Sequence, residues 1–563
     1  MPVGSLIQLA AYGAQNQYLN GNPQFTYFRG VFRRHTNFAM EMIELPTNGH
    51  NELSIEKTTQ LSITIDRNGD LVSHIYFVFE LPDIYSSYNP NVPFENIESA
   101  GYQFHWIDSI GTNIINGCQL IVGGQLISQL YGEWIRIWHE LFSDVNMKNF
   151  DDMIGNVPDL FIPENSVGST GVYPTSSLQP NLNSDPEIFT QSQYIGNSYL
   201  KPPSIKGRTI TVPLNFFFQQ SFGLALPLVA LQYHDVVVSL ELKPLLSLYT
   251  ITDNRIPKTN TFGQRIIPSL SEPTHSIQNF ISLMDSNTFT YGQDLSAVNN
   301  PYVGWGFNPR LQVNYIFLDE DERKRFADVT HEYLIEQVIR IEHTSYNSSN
   351  ATINLTLQNP VKELLWMVQR DDFASNNIFG NYTKWPLRSI DPGSIAFIRN
   401  TIGETSVIFT NENAVGASQA TLVDTAWQAY ESGLLPHKFN FNYFKRYPIL
   451  HSTILFNGQE RFSTQKFDYF QNTQIYQHGI RNKYEGIHLY SFALEPTKFQ
   501  PSGTCNMSRI HSAQLKLSFE PIPLTTTIDG ISTPKYQYNV IIYSVNYNIF
   551  RVLAGMGGLA FVS

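Results

Sequence analysis

The side chains best suited to chemistry in this chain are few and poorly grouped. Four consecutive acids, Asp319, Glu320, Asp321 and Glu322, offer the oxygen ligands that calcium takes, but acids at a helix start ordinarily serve the helix dipole and cap. A metal site inside a β-barrel would call for a His-x-His pair with a carboxylate and another histidine. None of the 14 histidines stands two positions from another, and His139-Glu140 and His331-Glu332 lack the second histidine of a His-Glu-x-x-His helix. The first of these reads as the polar side of a helix. No lysine follows a glycine, so a phosphate-binding loop is absent, and the glycine-rich Gly555 to Ala560 reads as a flexible or interface tail. The acid pairs Asp151-Asp152 and Asp371-Asp372 lie in long polar loops where nothing indicates a raised pKa. Two cysteines, Cys118 and Cys505, exclude a disulfide framework or a cysteine-rich zinc site. No catalytic constellation emerges, no metal or cofactor is called for, and the chain reads as a non-enzyme.

Modification and binding motifs are more numerous. Asn-x-Ser/Thr acceptors stand at Asn347, Asn350, Asn354, Asn381 and Asn506; the triplets at Asn347, Asn350 and Asn354 fall in or beside a strand and turn where a glycan would be exposed. Tyr382, Trp385 and Trp427 are candidates for stacking on sugar rings, the basis of a rival reading as a glycan-binding protein of two β-sandwiches. The aromatics of Asn376 to Pro386, Tyr382 and Trp385 among them, are equally suited to packing within their own loop or between subunits.

These groups must be positioned by β structure. The chain has 563 residues, 13% aromatic and only 15% charged, with 35 Gly and 31 Pro; aromatic side chains fit pleated surfaces and Gly and Pro punctuate turns. Its length exceeds what one core fills. Apolar and polar residues alternate from Leu61 to Arg67, Ser73 to Pro82, Ile210 to Phe218 and Asp235 to Lys243, and again from Leu311 onward to Tyr536–Val552. Helical spacing is confined to Tyr131–Leu141 and the acid-capped Leu318–Val329. The formal net charge of -12, with no run of Lys or Arg, argues against direct nucleic-acid binding. No apolar stretch reaches the roughly 20 residues of a membrane span. No basic residue precedes Arg29, unlike a secretory signal, and Pro2 stands where myristoylation needs glycine.

One phrase is written twice. Leu120 to Ser128, LIVGGQLIS, and Ile454 to Phe462, ILFNGQERF, are both two short strands hinged on a pair suited to positive φ. Each follows a strand phrase, Val72–Pro82 or Val361–Arg370, and precedes a closing pair of apolar strands. Duplication of one β domain explains this, as does coincidence between common hairpins. The expected division is an arm over 1–25, a first module over 26–246 with an insertion at about 149–207, a linker over 247–302, and a second module over 303–563 with an insertion at about 371–438.

Longer phrases carry a resemblance. Leu6–Ala39, the GGQLISQLYGEW block ending at Trp134, Gly223–Val236, Phe492–Ile510 and Tyr547–Phe561 together resemble the major capsid proteins of the nucleocytoplasmic large DNA viruses, in that family's order and over the whole chain. The resemblance implies an all-β double jelly roll: two eight-stranded antiparallel barrels side by side, with long loop insertions and a few short helices. It also implies a homotrimer forming a pseudo-hexagonal capsomer in an icosahedral virion shell, beside neighbouring capsomers and minor capsid and penton proteins, assembled in the host cytoplasm. The family's N-terminal segment lies beneath the tile towards minor proteins and an internal membrane. By that analogy Gln15, Tyr18, Arg33 and Arg34, with the loop residues Tyr382 and Trp385, are interface candidates, and Asn506, inside the Phe492–Ile510 phrase, is assigned to structure; the arm's glycines and Pro23 suggest an irregular strap rather than a helix. For Arg33, Arg34 and His35 a solvated or ion-paired strand end competes with an inner contact.

Overall fold

The computed structural model describes residues 3–30, 32–48, 52–84, 86, 102–143, 146–163, 173–174, 193–195, 198–200, 203–253, 265–272, 275–281, 307–384, 447–480, 484–522, 524–526, 532–534 and 536–561. The period-2 runs form strands, and hydrogen bonding sorts the main ones into two modules. The first comprises β1 (Phe38–Pro46), β2 (Thr59–Thr64), β3 (Leu71–Glu80), β4 (Ile115–Val122), β5 (Gln125–Leu130), β6 (Thr209–Pro213), β7 (Val236–Leu242) and β8 (Arg310–Leu318). The second comprises β9 (His331–Tyr346), β10 (Asn350–Asn354), β11 (Pro360–Arg370), β12 (Ile449–Phe456), β13 (Gln459–Glu460), β14 (His488–Ser491), β15 (Ala513–Phe519) and β16 (Tyr538–Leu553).

In the first module β1-β8-β3-β6 form one sheet and β2-β7-β4-β5 the other; in the second, β9-β16-β11-β14 and β10-β15-β12-β13 repeat that order strand for strand. Every pairing is antiparallel, and the shared order is that of a jelly roll, so the chain is a double jelly roll. Each module buries the inward residues of both its sheets. Phe77, Leu311 and Val313 face Ile63, Leu120 and Leu240 in the first. In the second Leu364, Trp366 and Val540 face Ile454, Leu515 and Leu517, and Trp366 Nε1 donates to Ser452 Oγ at 3.2 Å.

The repeated hairpins share their turn geometry. Gly123 and Gly124 have φ 57° and 82°, Asn457 and Gly458 have 51° and 82°, the two positive values of a type I′ turn. The difference in sequence has a cause: a Cβ at Gly123 would lie 2.2 Å from His234 Nδ1, whereas Asn457 has room to accept from Ser512 N through its side chain.

Pairing places several segments differently from the sequence reading. Arg310–Leu318 lies between β1 and β3, so the strand expected to open the second module at 303 completes the first. Within the expected linker, Tyr249–Asp253 pairs with Tyr102–Trp106, burying Tyr249 and Ile251 in the first core. Helices α1 (Val3–Ala10) and α2 (Ile110–Asn113) precede the expected insertion from 149, which begins inside the helix Met147–Ile154, whose Phe150 and Ile154 are also core residues. The glycine-rich segment is no tail: Met556–Leu559 is β17, paired with β16 through a third turn, where Ala554 and Gly555 have φ 51° and 82°.

A Cβ added at Gly124 or at Gly458 would meet nothing within 4 Å, so alanine there tests backbone strain alone; each substitution should cost about 1 kcal/mol in urea denaturation. Gly123→Asn, which writes the second hairpin into the first, should cost more than about 2 kcal/mol by overpacking against His234.

Candidate interaction surfaces

The β9-β16-β11-β14 sheet is apolar on both faces. Alternate residues of β11 and β16 divide between two cores: Leu364, Trp366, Val368, Val540 and Ile542 belong to the second module's interior, while Leu365, Met367, Ile541, Tyr543 and Val545 join the core of the first. That outer face is covered by the segment following β5. Tyr131 leads into α3 (Gly132–Phe142), where Trp134 and Leu141 are buried along with Ile135, Arg136 and His139, so the helix is enclosed on nearly every side. Its first residue is glycine because a Cβ would sit 1.9 Å from the Thr112 carbonyl oxygen.

Polar contacts frame this joint. Tyr543 Oη donates to Glu133 Oε1 at 2.6 Å and its ring lies 5.0 Å from that of Trp134; burial and the nearby Glu133 carboxylate hold the phenol far above its ordinary pKa. Arg340 reaches Glu133 at 3.9 Å and lies 5.2 Å over the Tyr131 ring. Gln337 Nε2 donates 2.7 Å to the Ile127 carbonyl on edge strand β5. The β16–β17 hairpin closes one end, with Tyr233 N donating to Gly555 O and Leu559 N to Gln125 Oε1. At Gly557 a Cβ would meet Leu231 at 2.7 Å and Val122 at 3.1 Å.

The corresponding surfaces elsewhere are open. On β1, equivalent to β9, Phe38, Met40 and Met42 point outward, Met40 being 50% exposed, whereas its register partner Ile316 on β8 is buried with Leu71 and Ala225, so the open part of this face is β1. The second module's counterpart of α3 is the Tyr469–Thr473 π-turn continued by Gln474–Gln477. It buries Phe470, Gln471, Gln474 and Ile475 but leaves Asn472, Thr473, Gln477 and the 88% exposed Tyr476 on an open face. The first module thus has a covered helix and an open sheet face, the second a covered sheet face and an open helix.

The N-terminal arm is another exposed surface. Instead of an irregular strap it contains α-helix Val3–Ala10 and short turns at Ala14–Asn16 and Gln17–Asn20; beyond Gly4, the run Ser5 to Ala10 has no helix breaker, and extended Gly13 interrupts it. Gln15 is exposed, as are Leu9, Phe28 and the 93% exposed Tyr18. Arg33 and Arg34 lie exposed in the extended approach to β1, without an ion pair among the described residues, and His35 Nδ1 lies 2.8 Å from Thr36 O.

Other expected positions divide sharply. Asn347, Asn350 and Asn354 are exposed around the β9–β10 turn, Asn354 Oδ1 accepting from Gln514. Asn381 is only 2% exposed and accepts from both the amide and hydroxyl of Thr383, so it is closed as a glycan acceptor. Tyr382 is likewise buried, its ring 5.7 Å from Tyr484, and is an internal anchor rather than an interface residue. Trp385 and Trp427 lie outside the described residues. Asn506 caps the Met507–Arg509 turn through Ser508 N, the structural role expected of it.

The groups suited to chemistry are taken up by structure. Asp319 caps α4 (Glu320–Asp328), Lys324 pairs with Glu320 and Arg323 with Asp70. His139 is buried, not on a polar side: it stacks on Phe150, and burial pushes its pKa down to about 4. Burial also raises the Asp151 carboxyl, contrary to expectation, with Asn156 hydrogen-bonded to it. Arg370 pairs with Asp372 between the rings of Phe373 and Tyr536. Cys118 is buried, which holds its thiol well above the usual range. Among the described residues no three His, Cys, Asp or Glu side chains are grouped to hold a metal.

Sequence reasoning misses the joint. Its one signal is Lys362-Glu363, a charged pair inside the otherwise apolar run from Val361 to Val368. The open faces at Met40 and Tyr476 carry no signal, because a half-exposed strand reads the same whether or not a partner covers it.

Residues 26–319 match a family model described as the major capsid protein N-terminus, and residues 322–558 one described as the large eukaryotic DNA virus major capsid protein. The chain is 33% identical to the major capsid protein of Phaeocystis pouchetii virus, with 99% of each chain covered. It is 30% identical to that of Paramecium bursaria Chlorella virus 1, with 100% of each covered. Among solved structures, the crystal structure of PBCV-1 VP54 fitted into a reconstruction of the Sputnik virophage is similar at a TM-score of 0.58 and 26% identity, covering 96% of this chain and 100% of that one. The boundary between the two family models coincides with the end of β8.

Tyr543→Phe should cost about 1.5–3 kcal/mol, the loss of a hydrogen bond to a charged group. Gly557→Ala should destabilise further by forcing the β16–β17 hairpin off Leu231 and Val122. Thermal unfolding checks both; unchanged midpoints would separate these contacts from the stability of the joint.

Proposed function

The chain belongs to the family of major capsid proteins of large eukaryotic DNA viruses, and from that premise we propose that it closes into homotrimers whose six barrels form a pseudo-hexagonal tile of an icosahedral shell. As a capsid component its work is done by surfaces, and the family is structural rather than enzymatic.

The observation that supports the trimer is the pairing of covered and open faces. Within one chain, the outer sheet face of the second module sits on α3 of the first. The first module's equivalent sheet face, with Phe38, Met40 and Met42, and the second module's equivalent helix, with Tyr476, are both left open. Such a contact is heterologous: it joins unlike surfaces head to tail, and repetition yields a ring wherever the rotation closes. Three chains supply six modules, so each open sheet face receives the open helix of the next chain. Writing the barrel twice lets a three-fold assembly present six similar edges to its neighbours. In this reading the tiles contact neighbouring capsomers and minor capsid and penton proteins at their rims. The apolar arm, with Gln15 and Tyr18, reaches towards an inner partner or membrane, Arg33 and Arg34 lie at its root, and assembly takes place in the host cytoplasm. The glycan-binding alternative draws no support from Tyr382, which is buried.

Sedimentation equilibrium should give three times the chain mass of 64.2 kDa. Met40→Glu and Tyr476→Ala should each yield a folded monomer, with circular dichroism unchanged. A wild-type monomer or dimer, or variants that still trimerise, would overturn the arrangement.

A further inference from the structure

At the rim of the joint between modules, β11 carries a bulge. Its register against β16 shifts between Val361 and Glu363, making Lys362 the extra residue, whose carbonyl accepts from Phe492 N at 2.9 Å. The bulge sends two successive charged side chains into the interior: Lys362 is 5% exposed and Glu363 1%. Lys362 Nζ lies 2.6 Å from Glu336 Oε1 on β9 and 3.8 Å from Glu363 Oε1. Gln220 of the first module reaches Glu336 Oε2 at 3.4 Å. The second oxygen of Glu363 is buried with no hydrogen-bond partner, a costly state for a carboxylate and a tolerable one for a carboxylic acid.

We propose that Lys362, Glu336 and Glu363 form a proton-gated joint between the modules. With a proton on Glu363 the cluster is neutral, one ammonium against one carboxylate; without it, a second and uncompensated negative charge is buried where the modules meet. The charged and titratable groups facing Glu363 are Lys362 on its own strand, Glu336 on β9 and Tyr547 on β16. Ser491 is its uncharged partner on β14, and Gln220 the uncharged group offered by the first module. The ammonium cannot satisfy both carboxylates equally, since its short contact goes to Glu336.

Burial raises the Glu363 carboxyl to about 7, opposed by Lys362 and reinforced by Glu336. The sign follows. Between the unfolded carboxyl value of 4.5 and about 7 the folded protein keeps a proton that the unfolded chain has lost. The joint is therefore tightest at mildly acidic pH and loosens as the pH rises to neutrality, the closed-to-open ratio falling by about tenfold per pH unit in the middle of that window. A shell component of this kind would hold together in mild acid and relax above neutrality. The inference concerns contacts within one chain and stands whether or not the chain trimerises.

The test uses the full-length protein. Thermal midpoints of wild type and Glu363→Gln are compared from pH 5.5 to 8.5; the amide keeps the shape and removes the titration. The wild type should lose several degrees relative to the variant as the pH rises, and parallel curves would overturn the proposal. Infrared spectra with isotope-labelled glutamate supply a readout that needs no variant. A protonated carboxyl band at pH 6, titrating away with a midpoint near 7, is the expected result; its absence at pH 6 would overturn the proposal.

Discussion

Leu365, Met367, Ile541, Tyr543 and Val545 line the face of a sheet whose other side already closes a barrel, and a sheet apolar on both faces cannot leave one of them in water. Fully burying five such side chains contributes on the order of 10 kcal/mol in gross terms. The first module meets that demand with α3, and most of the chain's departures from a bare pair of barrels can be traced to the match. Gly132 lets the helix approach the Thr112 carbonyl, Gly123 leaves room for His234, and Gly557 lets the β16–β17 hairpin lie against Leu231. The polar frame of Glu133, Arg340, Gln337 and Tyr543 then fixes one register among the many that an apolar face alone would allow.

The same constraint explains why the halves look so alike in topology and so unlike in exposure. The β1 strand is exposed along nearly its whole length, while β9, its equivalent in the second module, is half-buried through most of its own. Identical strand order with different coverage follows from α3, which lies on the second module's sheet and leaves β1 open.

Much of this is legible in the sequence, and the failures share a cause. Period-2 runs, the two hairpins, α3 and the acid-capped α4 are local signals, and each appears where its residues indicate. Local patterning puts the strand Arg310–Leu318 in the wrong module because its partner is distant: Gln312 bonds Glu44, 268 residues away, and no local pattern carries that information. Tyr382 sits in a polar, loop-like stretch yet is buried against Tyr484, again through a contact made after a long excursion of chain, while Asn381 is closed locally by Thr383. Lys362 and Glu363 read as an interruption of a strand and are in fact its bulge. Local grammar specifies the elements, and burial decides what each can be used for.

The position of β8 sets an order of events during synthesis. The first barrel lacks β8, the strand between β1 and β3, until residue 318 has left the ribosome, and then all eight of its strands are in hand while the second module is still being translated; domains generally fold as units in that direction. The clip at Met556–Leu559 is made much later than β8. Its Leu559 joins Gln125 across 434 residues, so the nascent first half waits with α3 uncovered until the second module has been made.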